Sequence, residues 1–529
     1  MAMLQAVTTL SPEAGAILLS TLVAGCLACG LVTVVIYRLF LHPLAKYPGP
    51  FFAKLTNFYD FVVGYQEHRA QHFSYLHKKY GPVVRFGPND LSFCTPQAFV
   101  DIYGWKANVR KHDGMAATQS DPETTSTFSE LHRVPALKKR KILAQGFSES
   151  ALGHAEGKDG PAAFFRGRPD SLTGASEFIV DQIRIFCRCL VDPSTEPVKD
   201  MSLWLNYLAY DVMGEVVFGN GFNMMTDDKE RYILPLIDNM VFSMLLGGII
   251  PWLFKWGVID FMFPSIYSGR VRFISEAEKK ITHRLSRGHE SKGDRKDFFH
   301  FLLSHRDPET GAPLSRKTLL TEGVLLVTAG SLAGTLFYLL KYPHCMKRLR
   351  QELDSVFSDV DEISTGPKLS TCVYLRACVE EGLRMAPPGP GMATRTIMEG
   401  GTEIDGEYFD EGINVGCSNW TYAYNPIYFP DPEIFRPERY VVEGSTTEDD
   451  VMRAKNSYWP FQTGVRKCPG MKLAYQELYL TIGRLVYLFD ITPEKPEELE
   501  GNFEVLDHFN VKKKGPFASF KLREGRSVA

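Results

Sequence analysis

The residues with the most evident chemistry lie near the C-terminus, in Phe461–Gly470, whose sequence is FQTGVRKCPG. This segment carries Cys468 and precedes an amphipathic run, Met471–Leu488. A thiolate at a helix N-terminus is stabilised by backbone N–H groups and by the helix dipole. Thiolate is one of the few protein ligands that push electron density onto a haem iron and favour O–O cleavage. The glycines let the backbone lie close beneath a flat macrocycle, and Arg466 suits a propionate. The alternative is a structural cysteine in a surface turn.

A second motif, Glu381-Gly-Leu-Arg384, lies in the predicted helix Tyr374–Met385. A glutamate and an arginine three residues apart share one helix face and can pair. Arg439, in Phe435–Tyr440, can bring a second guanidinium to the same carboxylate. A buried Arg–Glu–Arg cluster is costly unless every donor is satisfied, so we interpret it as a structural latch and not as a catalytic group. An isolated motif of this kind is usually only a solvated surface pair.

The composition describes a globular protein with a large core. The chain has 529 residues, of which 44% are hydrophobic, and a net charge of −3. That charge gives no attraction to nucleic acid, so we expect no nucleic-acid partner. The ten cysteines are irregularly spaced, which argues against a disulfide framework and favours a reducing compartment.

The N-terminal part is predicted to anchor the chain in a membrane. Residues 14–37 carry no charge, and a helix of that length spans a hydrocarbon core. Residues 1–13 contain no Lys or Arg, whereas Arg38 and Lys46 follow the span. The positive-inside rule therefore predicts a lumenal N-terminus and a cytosolic remainder. A cleaved signal peptide is the alternative.

Beyond the anchor, residues 38–50 form a basic, Pro-rich hinge, and residues 51–529 form the globular part. The stretch Tyr80–Asn89 predicts a strand and a turn, with a second strand from Leu91. Most of the remainder has the pattern of helices joined by polar loops.

The stretch Gly157–Ser176 is an atypical insert rich in Gly, Ala and Pro. It lies between a predicted helix that ends near Glu156 and another that begins at Glu177. It is either a surface loop or, as a second hypothesis, a retained intron. Sequencing the transcript and finding these codons in all mature message would exclude the intron.

With the predicted apolar helix Leu319–Tyr342, the Glu381 motif, Arg439 and the cysteine loop in this order, the chain resembles the cytochrome P450 monooxygenases. It is most similar to membrane-anchored fungal members of secondary metabolism. The resemblance covers nearly everything after Tyr47 and implies a mainly α fold with a small β-rich lobe and a b-type haem. The cofactor-binding residues that the resemblance implies are Arg140, Arg395, Phe461, Gly464, Arg466, Cys468 and Gly470, with Cys468 as the iron ligand. For Arg140, a surface-exposed basic helix face is an equally good interpretation, because Ala136 stands where the family has an aromatic or His partner.

The chain departs from the family in the predicted helix Leu319–Tyr342. The family has an acid and a threonine over the haem, where they order the water that delivers protons to bound oxygen. Here Ala329-Gly330-Ser331 is followed by Leu332, and the usual tail arrives about six residues early, which would rotate the helix face. Ser331 and Thr335 are the remaining catalytic candidates, and the departure is either biological or an error of the gene model.

Three functions follow as hypotheses. The first is a monooxygenase that hydroxylates a small apolar secondary metabolite with O2 and electrons from NADPH–cytochrome P450 reductase. The second is a haem-thiolate isomerase or peroxygenase, which needs no proton relay. The third is a haem-binding protein without turnover. The anchor and the resemblance together predict a single-pass protein of the endoplasmic reticulum membrane.

Overall fold

The computed structural model describes residues 12–119, 123–147, 173–287, 298–306, 313–319 and 332–528. Most of these residues are helical, and short sheets make up a smaller part. The helices are α1 Pro12–Ile36, α2 Phe51–Leu55, α3 Phe58–Tyr65, α4 Arg69–Tyr80, α5 Pro96–Tyr103, α6 Arg133–Phe147, α7 Thr173–Val191, α8 Met201–Phe218, α9 Ile233–Ile249, α10 Pro251–Lys255, α11 Val258–Met262, α12 Pro264–Ser286, α13 Phe298–Ser304, α14 Ala333–Lys341, α15 Pro343–Val356, α16 Pro367–Thr371, α17 Val373–Met385, α18 Asn419–Ala423, α19 Glu448–Ser457 and α20 Met471–Leu488.

The strands form one larger sheet and three small ones. The larger sheet has the order β1-β2-β8-β5-β3, in which only β2 and β8 run parallel. A second sheet has the order β4-β12-β9, and two hairpins pair β6 with β7 and β10 with β11. The family's mainly α fold with a small β-rich lobe is therefore confirmed. The strands are β1 Val83–Gly87, β2 Asp90–Phe93, β3 Val109–Lys111, β4 Lys199–Asp200, β5 Arg395–Ile397, β6 Thr402–Ile404, β7 Glu407–Phe409, β8 Asn414–Cys417, β9 Phe489–Pro493, β10 Leu506–His508, β11 Asn510–Lys512 and β12 Phe517–Leu522.

The N-terminal helix α1 projects from the rest of the molecule and continues as a π-helical turn, Tyr37–Leu41. The span Ala16–Leu41 has a mean hydropathy of 2.3, and none of it is buried. A helix that is apolar on all sides needs an apolar environment, which a bilayer provides. The segment Asp228–Ile249 also passes a length-and-hydropathy test, but 72% of it is buried, so it belongs to the core.

Helix α20, which directly follows the cysteine loop, lies at the centre of the fold. Every residue from Tyr475 to Leu488 is buried, and the helix packs against α7, α15 and α17. A helix buried on all sides is fixed in position by its neighbours. The start of α20 is therefore a rigid support for the loop before it.

One predicted boundary was wrong. Helix α7 begins at Thr173, four residues before the predicted start at Glu177, so the end of the predicted insert is helical. Gly174 had indicated a loop, but Ala175 is a good helix former and the helix packs against α8. Residues 157–172 of the insert lie outside the described residues.

A buried histidine between α4 and β2 makes the stability of this lobe sensitive to acid. Nδ1 of His77 donates to the carbonyl of Gly81 (2.8 Å), and Nε2 lies 2.8 Å from the hydroxyl of Ser92. Burial lowers the pKa of His77 from 6.5 to about 4, whereas the bond to Gly81 opposes this shift. The folded state therefore disfavours the protonated form.

We expect folding stability to fall as the pH is lowered from about 6.5 to about 4, by up to about 3 kcal/mol from this residue. The stabilisation is fully present above the unfolded pKa and is lost as the pH falls, because only the unfolded chain takes up the proton. Melting temperatures at pH 7 and pH 4.5 check this, and His77→Gln should flatten the difference. The same substitution at exposed His344 should leave it unchanged.

Candidate active site

The cysteine loop, Phe461–Gly470, is closed by its own backbone. The amide of Cys468 donates to the carbonyl of Phe461 (2.8 Å), and Lys467 donates to Gly464 (3.2 Å). Gly464 has a φ of +63°, and a Cβ there would collide with the backbone of Tyr103 and Gly104 in the adjacent lobe. Glycine is required at this position for both reasons.

The sulfur of Cys468 lies at the start of α20, where the backbone N–H groups of Gly470 and Met471 point at it. Desolvation by the protein packed around its sulfur raises the pKa of the Cys468 thiol, although the residue is exposed at the surface, whereas these two amides, Arg140 and Lys467 act to lower it. A coordinated metal ion deprotonates a thiol outright. The donor set therefore suits a thiolate that ligates a metal and accepts N–H hydrogen bonds.

The predicted latch is formed in the structure. The guanidinium of Arg384 makes two bonds to Glu381, at 2.7 and 2.8 Å, and Arg439 makes a third at 3.1 Å. The backbone amide of Arg436 also donates to this carboxylate (3.0 Å). Glu381 and Arg384 are fully buried. Four donors thus converge on one carboxylate, which satisfies the condition under which a buried cluster is tolerated.

The latch is connected to the cysteine loop. The remaining donors of Arg384 reach the carbonyls of Ala423 (2.6 Å) and Pro432 (2.9 Å). The hydroxyl of Tyr458, at the entry to the loop, donates to the carbonyl of Leu383 in α17 (3.0 Å). The latch therefore fixes α17 against the segment from which the loop departs, as a structural support.

The three predicted propionate partners are brought together. Arg466 donates to the carbonyls of Leu131 (2.9 Å) and His132 (3.0 Å), and its Nη1 is buried without a partner. Arg395 donates to the carbonyls at positions 393 and 394, and Arg140 donates to that of Lys467. Burial, Arg395 and Arg140 lower the pKa of Arg466 to about 10. The cluster therefore carries positive charge that the described protein groups do not fully neutralise.

A fourth cation, Lys111, was not predicted from the sequence. It is buried on β3 directly opposite Arg395 on β5, and its ammonium donates to the carbonyl of Phe128. Burial and then Arg395, Arg466 and Arg140 hold the pKa of Lys111 well below its usual range, although Glu130 opposes this. Like charges directly opposite each other across a sheet are unfavourable. An anion bound between them would remove the conflict.

A dianionic macrocycle fits these groups. The sulfur with two amides would supply a metal ligand, and the cation cluster would supply partners for two carboxylates. The unpartnered Nη1 of Arg466 is a buried donor that such a carboxylate would satisfy. The residues present therefore fit haem.

Of the two predicted catalytic candidates, the structure describes only Thr335. Ser331 lies outside the described residues. Thr335 is buried in α14, with its side chain packed against Gly382 of α17, between the two helices. The Thr335 hydroxyl therefore lies beside α17, the helix that carries Glu381 and Arg384. A role for Thr335 above the haem remains a prediction. Leu332, where the family has an acid, is buried and apolar.

Comparison with known proteins gives one family and several relatives that match most of the chain. The family model described as Cytochrome P450 matches residues 162–515. The chain is 31% identical to a cytochrome P450 monooxygenase named fscF from Fusarium equiseti, over 94% of this chain and 95% of that protein. It is 31% identical to the monooxygenase atnE of Emericella nidulans, over 92% and 93% of the two chains. It is 32% identical to the monooxygenase apf7 of Gibberella fujikuroi, over 93% and 96%.

Proposed function

The chain belongs to the cytochrome P450 family of haem-thiolate monooxygenases, and from this premise we propose that it hydroxylates a small apolar intermediate of fungal secondary metabolism. The observation that carries the proposal is the cysteine loop, with the sulfur of Cys468 beside two amides at the start of a helix that is buried from Tyr475 to Leu488. Several relatives are named as monooxygenases, which favours this function over an isomerase, a peroxygenase or a protein without turnover.

We propose that the cofactor is haem b, held by Cys468 and by the cluster of Arg140, Arg395, Arg466 and Lys111. Bound haem would supply oxygen binding and, through its thiolate ligand, cleavage of the O–O bond. The amides of Gly470 and Met471 share the negative charge of the sulfur. Arg140, Arg395 and Arg466 would pair with the propionates, and Lys111 would be a fourth partner. Phe461 and Gly464 shape the loop through the backbone contacts described above.

Replacement of Lys111 by methionine tests the fourth partner. We expect haem to leave the protein about tenfold faster or more, because one charge-assisted hydrogen bond of about 1.5–3 kcal/mol is lost. The haem-free protein should not lose stability, because the conflict between Lys111 and Arg395 is relieved. Transfer of haem to an acceptor apoprotein measures the first effect, and urea unfolding measures the second.

Lys106→Met is the matched control, since Lys106 is exposed on the neighbouring turn. Its haem transfer rate should equal that of the unchanged protein. Equal rates for Lys111→Met and the unchanged protein would contradict the assignment of Lys111.

An apolar substrate agrees with the aromatic side chains beside the cation cluster. The carbonyl of Phe128 binds Lys111, and the ring of Phe128 lies 5.7 Å from that of Phe509 at the tip of the β10–β11 hairpin. Phe509 has a φ of +78°, a strained conformation for a bulky residue that is often found at functional sites. We propose that these two rings contact the substrate.

We also propose that the protein is a single-pass protein of the endoplasmic reticulum membrane with its catalytic domain in the cytosol, where NADPH–cytochrome P450 reductase supplies electrons. Support comes from α1 and from an aromatic surface beside it. We define the aromatic surface as the exposed residues Phe51, Phe52, Phe58, Trp252, Trp256 and Phe261. The ring of Phe58 lies 6.4 Å from that of Trp252, which joins α3 to α10. A contiguous exposed apolar surface favours contact with lipid.

The end of the anchor is attached to the domain close to this surface. Arg38 donates to the carbonyl of Leu55 in α2, and Arg85 donates to the carbonyl of Arg38 (2.8 Å). The apolar helix and the aromatic surface are therefore linked by side-chain hydrogen bonds.

The experiment that tests the function uses the full chain in phospholipid vesicles with NADPH–cytochrome P450 reductase and a panel of apolar polyketide and terpenoid compounds. We expect NADPH and O2 to be consumed and one oxygen atom from labelled O2 to enter the product. Omission of the reductase should abolish turnover. Turnover that requires added peroxide and proceeds without reductase would instead support a peroxygenase.

A further inference from the structure

A row of three aromatic rings leads away from the cysteine loop along α20. The ring of Phe461, the first residue of the loop, lies 4.9 Å from that of Tyr475. Tyr475 in turn stacks on Tyr479, one helical turn further, with 5.5 Å between the ring centroids and 18° between the planes. The carbonyl of Phe461 accepts the hydrogen bond of the Cys468 amide, so the row starts at the ligand loop itself.

The middle ring has a proton acceptor. The hydroxyl of Tyr475 donates to Oε2 of Glu380 at 3.2 Å. Burial raises the pKa of the Glu380 carboxyl to about 7, while Tyr475, Lys455 and Arg376 oppose this shift. A carboxylate with a raised pKa is a stronger base than an exposed one, and it lies within reach of the phenolic proton. Glu380 has no part in the latch made by its neighbour Glu381.

Tyrosine is oxidised at an accessible potential only when its proton can leave with the electron, since the protonated phenol radical is a very strong acid. A tyrosine beside the ligand loop with a carboxylate on its hydroxyl meets this condition. The chain also carries Leu332 where its family has an acid that helps to deliver protons to bound oxygen. Impaired proton delivery would release more of the reduced oxygen as peroxide, and peroxide can in turn oxidise the haem centre.

We propose that Tyr475 and Tyr479 form a relay that carries oxidising equivalents away from the haem, with Glu380 as the proton acceptor. This inference rests on the proposed haem-thiolate function. When a peroxide has oxidised the haem centre, one electron leaves Tyr475 for that centre. The O–H bond of Tyr475 breaks and its proton moves to Oε2 of Glu380.

The neutral radical on Tyr475 then takes one electron from Tyr479 and recovers its proton from Glu380. The carboxylate freed in this way, whose charge acts on the Tyr479 phenol, accepts the phenolic proton of Tyr479. The neutral radical on Tyr479 takes one electron from a thiol reductant in solution and its proton back from Glu380, while the oxidised thiol releases its own proton to the solvent. Because a peroxide oxidises the haem centre by two electrons, two such passes return the centre to its resting state. The positive charge of Arg376, which is partly exposed, acts on the Tyr479 phenol, so the end of the relay lies near a residue that reaches the surface.

The test uses the haem-loaded full chain mixed with hydrogen peroxide and frozen within milliseconds for electron paramagnetic resonance. We expect a tyrosyl radical signal that is lost in Tyr475→Phe and reduced in Glu380→Gln. Tyr479→Phe should keep an early radical but slow its decay with added thiol. Haem bleaching by peroxide should be faster in Tyr475→Phe, because the oxidising equivalents then remain at the haem.

Tyr475→Phe keeps the ring and removes only one hydrogen bond, so the fold should persist. Tyr487→Phe is the matched control, since it lies on the same helix about 18 Å further along and should leave the signal and the bleaching unchanged. An unchanged tyrosyl signal in Tyr475→Phe, or the absence of any such signal in the original protein, would overturn the relay. Both results leave the haem-thiolate function intact if the reduced, CO-bound spectrum keeps its red-shifted band, whereas loss of that band would overturn the function itself.

Discussion

Replacement of Cys468 by serine is expected to abolish the red-shifted band of the reduced, CO-bound protein. Reductase-dependent turnover should fall by at least about 10³-fold, the scale on which removal of a chemically essential group acts. A serine hydroxyl does not ionise under these conditions, so it supplies neither the negative charge that the amides of Gly470 and Met471 stabilise nor the electron donation that favours O–O cleavage. Optical spectra and turnover with reductase measure the two effects.

Haem content should fall less than turnover in this variant, because the cations that hold the propionates remain. Cys94→Ser is the matched control, since Cys94 is a partly buried free thiol at the end of β2, outside the cysteine loop. It should keep the spectrum and the activity. An unchanged band in the Cys468→Ser protein would refute the assignment of the iron ligand.

Replacement of Glu381 by glutamine is expected to lower the free energy of unfolding by about 3–5 kcal/mol, because it leaves the buried Arg384 and Arg439 without a counter-charge. The glutamine amide also presents N–H donors to guanidinium groups, which have no acceptor to offer. The latch fixes α17 to the entry of the cysteine loop, so we expect haem content to fall together with stability. Urea unfolding and the haem absorbance of the purified protein measure the two effects.

Glu443→Gln is the control for this substitution. Glu443 pairs with Arg348 at 2.5 Å, but both side chains are about one-third exposed, so the pair contributes less than about 1 kcal/mol. A loss of comparable size in the two variants would show that the latch is no stronger than a surface ion pair.

Those parts of the site that depend on short stretches of chain were predictable. Cys468 and the start of α20 are adjacent in sequence, and Glu381 and Arg384 are three residues apart, so local geometry alone brings each set together. The start of α20 at Met471 agrees with the amphipathic pattern that follows the loop. Tyr475 and Tyr479 also share a helix face, but their contact with Phe461 depends on how the loop folds back.

The residues that were missed depend on contacts between distant segments. Lys111 faces Arg395 only because β3 pairs with β5, and no local pattern around Lys111 indicates this. The start of α7 was misplaced because Gly174 indicated a loop, whereas packing against α8 decides the outcome. The position of Thr335 against Gly382 follows from the crossing of α14 and α17, which the helix pattern cannot give.

In the proposed arrangement, helix α1 and the aromatic surface both contact the membrane, and together they restrict the domain more than a single tether would. With α1 in a bilayer and the rings of Trp256 and Phe261 at its interface, the domain would lose rotation about any axis in the membrane plane. It would keep only rotation about the membrane normal. Encounter with an electron donor held in the same leaflet then becomes a two-dimensional search between partners of fixed tilt. The surface density of the donor in the leaflet, rather than its concentration in the surrounding solution, would set the frequency of productive collisions.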